Sequence, residues 1–132
     1  MKAPWQPPPD LDKECRAICV ALNKLPGVQT ISSCCGHGRR PYRIFFIVSR
    51  PDALVPIAYE AQHATRDDCH HDDWRVVAYT DCAFAPIRFR LEGPPGDYAG
   101  AERIAERIEQ RAPRSRRRRT VQTALNAARA PA

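Results

Sequence analysis

The sequence predicts an α+β fold: a mostly antiparallel sheet with helices packed on one face and a basic C-terminal tail. Three observations carry this. Leu11, Cys15, Ile18, Cys19 and Leu22 repeat at helical spacing ahead of a set of short β-rich segments. Two of those segments, 74–80 and 87–91, are close enough to pair as an antiparallel hairpin. A second helical stripe, Ala101, Ile104, Ala105 and Ile108, follows them.

With 132 residues the chain is long enough for one domain with a modest core. We read residues 1–10 as a proline-rich arm, 11–112 as a single α+β domain and 113–132 as an arginine-rich tail. Four prolines fall in residues 1–9, with Trp5 placed to dock on the body. Asp10 is positioned to cap a helix over 11–24, and Pro26-Gly27 ends it. Residues 28–31 read as a short strand. Residues 42–49, Tyr-Arg-Ile-Phe-Phe-Ile-Val-Ser, form the strongest strand and belong in the interior of the sheet. Pro51 opens a short helix over 52–64, with Pro56 interrupting its pattern. Residues 65–73 are polar and hold Cys69, His70 and His71. In 87–91, Ile87, Phe89 and Leu91 alternate with Arg88 and Arg90, the pattern of a half-buried strand. A helix over 98–111 ends before Pro113, and 120–129 can form another.

The net charge is +6, but seven arginines and no acid fall in 111–132, so subtracting them leaves −1 for residues 1–110. The basic character lives in the tail, where Arg114, Arg116, Arg117, Arg118 and Arg119 cluster. Such a run suits a polyanion, nucleic acid first. No apolar run approaches a membrane span and the start does not resemble a signal peptide, so the chain reads as cytoplasmic, with no membrane partner and with its six cysteines reduced. Cys15 and Cys19 lie on the apolar stripe of the first helix and read as small core residues. The small core and an exposed sheet face allow a homodimer.

The stretch 30–40, Thr-Ile-Ser-Ser-Cys-Cys-Gly-His-Gly-Arg-Arg, concentrates the chemistry. Ser32, Ser33, the amides near Gly36 and Gly38, His37, Arg39 and Arg40 form a candidate cradle for a phosphate or carboxylate. The spacing matches no standard phosphate loop. Asp81 and Glu92 each end a strand beside a turn and are further candidates, with capping the plainer reading. Zinc can be argued from Cys34, Cys35, His37, Cys69, His70 and His71, but no Cys-x-x-Cys pair exists and adjacent cysteines suit one tetrahedral ion poorly, so zinc is not expected. A thiolate from Cys34 or Cys35 near His37, oriented by Asp81, is the generic pattern for nucleophilic catalysis.

Leu22-Asn23 followed by Thr30-Ile31-Ser32-Ser33-Cys34-Cys35-Gly36 resembles the Leu-x-Asn … Thr-Thr-Ser-Ser-Cys-Ser-Gly-Arg signature of the tRNA wybutosine-synthesis methyltransferase family. The order of later features is also similar: a strand opening at Trp74, an apolar strand ending at Glu92-Gly93-Pro94, and an alanine-rich helix over 99–108. The sequence departs from the signature at Ile31, at Cys35 and at His37-Gly38, which stand before Arg39. Cys-Cys-Gly-His-Gly looks more like a variant in small stand-alone proteins of bacteria and their phages. The resemblance implies an α+β fold and S-adenosylmethionine-dependent methylation of a tricyclic guanosine derivative in tRNA. It leads us to expect a nucleotide- or RNA-binding domain, with Cys34 among the loop residues at the ligand. The alternatives are a non-catalytic, phage-type protein that sequesters a nucleotide and a small zinc-binding structural protein.

Overall fold

The segment with the strongest strand signal lies inside the sheet. The computed structural model describes residues 5–64, 74–83 and 85–111. Four strands, β1 (Val28–Cys34), β2 (Tyr42–Val48), β3 (Arg75–Tyr79) and β4 (Arg88–Gly93), form one antiparallel sheet in the order β1-β2-β4-β3. The expected hairpin is β3–β4, and β4 inserts beside β2. Its insertion makes α2 a crossover between strands two places apart, a split βαβ unit. The helices are α1 (Arg16–Lys24), α2 (Leu54–Ala64) and α3, residues 98–111.

Local chemistry accounts for most boundaries. The first helix opens with a 3-10 turn, Lys13–Cys15, whose N-cap position is Asp12 and not Asp10. Asp12 makes no side-chain capping bond there because its carboxylate is used elsewhere. Pro56 falls in the first turn of α2, where backbone amides have few helical partners, so it is tolerated. Asp97 caps α3 through Gly100 N–H donating to Oδ1 at 3.0 Å, and its Oδ2 accepts from Trp74 Nε1 at 2.8 Å. A Cβ at Gly93 would run into the Trp74 indole, so glycine lets the ring lie on the sheet.

Two strands run longer than their composition suggests. β1 continues through Ser32, Ser33 and Cys34, pairing Ser33 with Ile44 and Cys34 with Arg43. A register shift between Thr30 and Ser32 marks a bulge at Ile31, which is exposed. β4 reaches Gly93, so Glu92 is a strand residue and Ile87 is left outside, 64% exposed. In both cases pairing with β2 overrides weak intrinsic preference.

The core lies between one sheet face and the helices. Val28, Tyr42, Ile44, Phe46 and Leu91 meet Ile18, Leu22, Ile57, Ala101, Ile104 and Ile108, all buried. Cys15 and Cys19 are buried among them. Trp5 of the arm packs half-buried against this cluster. Glu60 is buried and receives Arg107 at 2.7 Å and Arg111 at 2.8 Å, tying α2 to α3. No helix among the described residues is long and apolar enough to cross a membrane. The segment 65–73, the tail from 113 and its expected helix over 120–129 lie outside the described residues.

Candidate functional site

Strand alternation sends Arg43, Phe45 and Ile47 of β2 away from the helices. Register then places every directly paired residue on that same outer face. One row crosses all four strands: Cys34, Arg43, Glu92, Arg75. The next row is Ser32, Phe45, Arg90, Val77, and beyond it Arg88 pairs with Tyr79. Among the described residues the outer face thus carries four arginines, Arg43, Arg75, Arg88 and Arg90.

Glu92 is their hub. Arg43 Nε donates to Oε1 at 3.1 Å, and Arg75 donates to Oε2 through Nη2 at 3.2 Å. Arg90 Nε lies 3.6 Å from Oε2, an ion pair without a hydrogen bond. Burial alone would raise this carboxyl, but the Arg43 and Arg75 hydrogen bonds and the Arg90 charge outweigh it and hold Glu92 below the usual carboxylate range. One carboxylate meets three guanidinium groups, so positive charge is left over at this end of the sheet. Phe45 and Tyr79 meet edge to face at 5.6 Å, and the Arg90 guanidinium sits 6.0 Å from the Tyr79 ring centre.

The row ends at a turn of opposite hand. Gly36 (φ 74°), His37 (φ 53°) and Gly38 (φ 77°) are three successive left-handed residues. Arg39 N–H and Arg40 N–H both donate to the Gly36 carbonyl at 3.0 Å, closing the turn, and the backbone returns to the right-handed region at Arg39. Only glycine adopts this conformation freely, and His37 bears a cost of about 1 kcal/mol. At Gly36 a Cβ would also come within 2.9 Å of the Pro41 carbonyl oxygen.

The turn's amides are mostly committed internally. Gly36 N–H donates to Cys34 Sγ and His37 N–H to Cys35 Sγ, each at 3.4 Å. The amide cradle read from the sequence is therefore largely used within the protein, and the exposed Arg39 and Arg40 side chains are the groups left to meet an anion. Ser32 and Cys34 are exposed. Ser33 faces inward beside the Cys15 and Cys19 thiols, and its hydroxyl has no well-formed hydrogen bond.

Cys35 is buried, and its thiol lies 3.6 Å from His37 Nδ1. Its amide donates to Asp12 Oδ2 at 3.1 Å. Burial pushes the thiol up, the His37 amide opposes this, and Asp12 adds to the rise. A buried, protonated thiol is a poor nucleophile. Asp81, the orienter expected from sequence, is not part of this group. It follows the C-terminal end of β3, where it pairs with Arg88 at 3.4 Å, while Glu92 and the turn lie at the other end of the sheet.

Asp12, Arg43, Arg75 and Arg90 are the residues that sequence reasoning passed over. None has a spacing signature, because strand pairing and a 23-residue contact bring them to the site. Arg114, Arg116, Arg117, Arg118, Arg119, Cys69, His70 and His71 lie outside the described residues. Comparison with protein-family models, with curated proteins and with solved structures finds no match to this chain.

Proposed function

We propose that this domain binds single-stranded RNA on the outer face of its sheet, with the left-handed turn at one end of the binding surface. The observation that supports this is the surplus of arginine around one buried carboxylate, on a sheet face that also bears Phe45 and Tyr79. Guanidinium groups meet phosphates, and half-exposed aromatic rings stack on unpaired bases. The row from Cys34 to Arg75 spans about 14 Å at normal strand spacing, enough for more than one phosphate. Arg39 and Arg40 extend the charge at its β1 end, and the tail arginines add sequence-independent affinity.

Binding is favoured over catalysis at the turn because the thiol nearest an imidazole is buried, out of reach of a substrate in solution. The test is fluorescence anisotropy of a labelled single-stranded RNA across a salt series. Arg75→Gln and Arg39→Gln should each weaken binding and lower the salt slope by about one unit. Tyr79→Ala should cost about 1–3 kcal/mol with the slope unchanged. No binding, or binding indifferent to all three changes, overturns the reading. Adding S-adenosylmethionine with tRNA extends the same experiment: methyl incorporation would make the bound RNA a substrate, and release of unchanged RNA would leave a binding module.

A further inference from the structure

We propose that Asp12, Cys35 and His37 form a binding site for a zinc-class divalent cation, with the fourth coordination position open to solvent. This does not depend on the RNA reading. The potential ligand atoms of the three residues all lie within 4.8 Å of one another. They comprise a carboxylate oxygen, a thiol sulfur and an imidazole nitrogen, a donor set that zinc accepts. Zinc bonds of about 2.3 Å to sulfur and about 2.0 Å to nitrogen, at the tetrahedral angle, put those two atoms about 3.5 Å apart. Cys35 Sγ and His37 Nδ1 are 3.6 Å apart.

The surroundings match a metal thiolate better than a plain thiol. Cys35 Sγ accepts a hydrogen bond from the His37 amide at 3.4 Å, the kind of donor that stabilises a ligating sulfur. The same sulfur, His37 Nδ1 and the Asp12 carboxylate converge on one point. A divalent cation held among them meets sulfur, nitrogen and oxygen together. The Cys35 amide holds Asp12 Oδ2 in place, as outer partners orient metal-binding carboxylates. The turn aims the imidazole: His37 is the one non-glycine residue with positive φ among the described residues, and its backbone geometry directs Nδ1 back to Cys35. Strain of this kind persists where surrounding structure demands it. Cys35 is buried while His37 is exposed, so the ion enters from the His37 side and keeps a water there.

The test uses the full chain, stripped with chelator and kept reduced, titrated with Zn2+ and separately with Co2+. Expected are one ion per chain and, with cobalt, a sulfur-to-metal charge-transfer band. Cys35→Ser should abolish the band. His37→Gln, an exposed change that leaves the core intact, should weaken binding at least roughly tenfold, as should Asp12→Asn. Cys34→Ser and a Cys69→Ser/His70→Gln/His71→Gln variant should bind like the parent. Failure to bind one ion per chain, a band that survives Cys35→Ser, or binding lost with the 69–71 variant each overturns the proposal.

Discussion

The Cys35 amide donates to Asp12 Oδ2 at 3.1 Å and so ties the end of β1 to the start of the first helical turn, 23 residues earlier in the chain. Cys35 is 1% exposed, so its amide has no access to water as an alternative partner. Asp12→Ala should therefore cost about 2 kcal/mol, the usual penalty for a buried donor left without its charged acceptor. Asp12→Asn keeps an acceptor and should cost less. Urea unfolding should show a lower midpoint with an unchanged slope.

Glu92 links stability to acid. Its carboxyl is held below the unfolded value of about 4.5, so the unfolded chain binds the proton more readily. Its stabilising contribution is complete above that value and is lost as pH falls through the folded one. Glu92→Gln should lower stability near neutral pH by about 2 kcal/mol and flatten the acid side of the stability curve. Thermal melts of both proteins across the acid range read this directly.

His37→Gly should raise the stability of the metal-free protein by about 1 kcal/mol, because the left-handed backbone no longer carries a side chain. His37→Ala keeps the strain and should give no such gain. Calorimetric melting of the metal-free proteins separates the two.

Gly93→Ala forces a methyl into the Trp74 indole. The ring can shift only by giving up its bond to Asp97 and disturbing the cap of α3. The expected loss is about 2 kcal/mol, with Trp74 emission moved to the red as the ring gains solvent.

Much of the architecture was legible because it follows from periodicity. The apolar stripe of α3, Ala101, Ile104, Ala105 and Ile108, is buried as its spacing requires. The aromatic and β-branched run of β2 takes an interior place in the sheet. The β3–β4 hairpin follows from two strands and a short connection. Less legible was Ser32-Ser33-Cys34, which reads as loop on composition and becomes strand because β2 supplies a partner.

The candidate sites divide in the same way. Gly36 and Gly38 permit left-handed backbone in sequence, but only the structure shows the turn and places His37 within it. Nothing in the linear order pairs Asp12 with Cys35, or gathers Arg43, Arg75 and Arg90 on Glu92. Local sequence determined the helices and the main strand, because propensity and periodicity act over a few residues. Tertiary structure decided which charges meet, because strand register and long-range hydrogen bonds depend on how distant segments pack together.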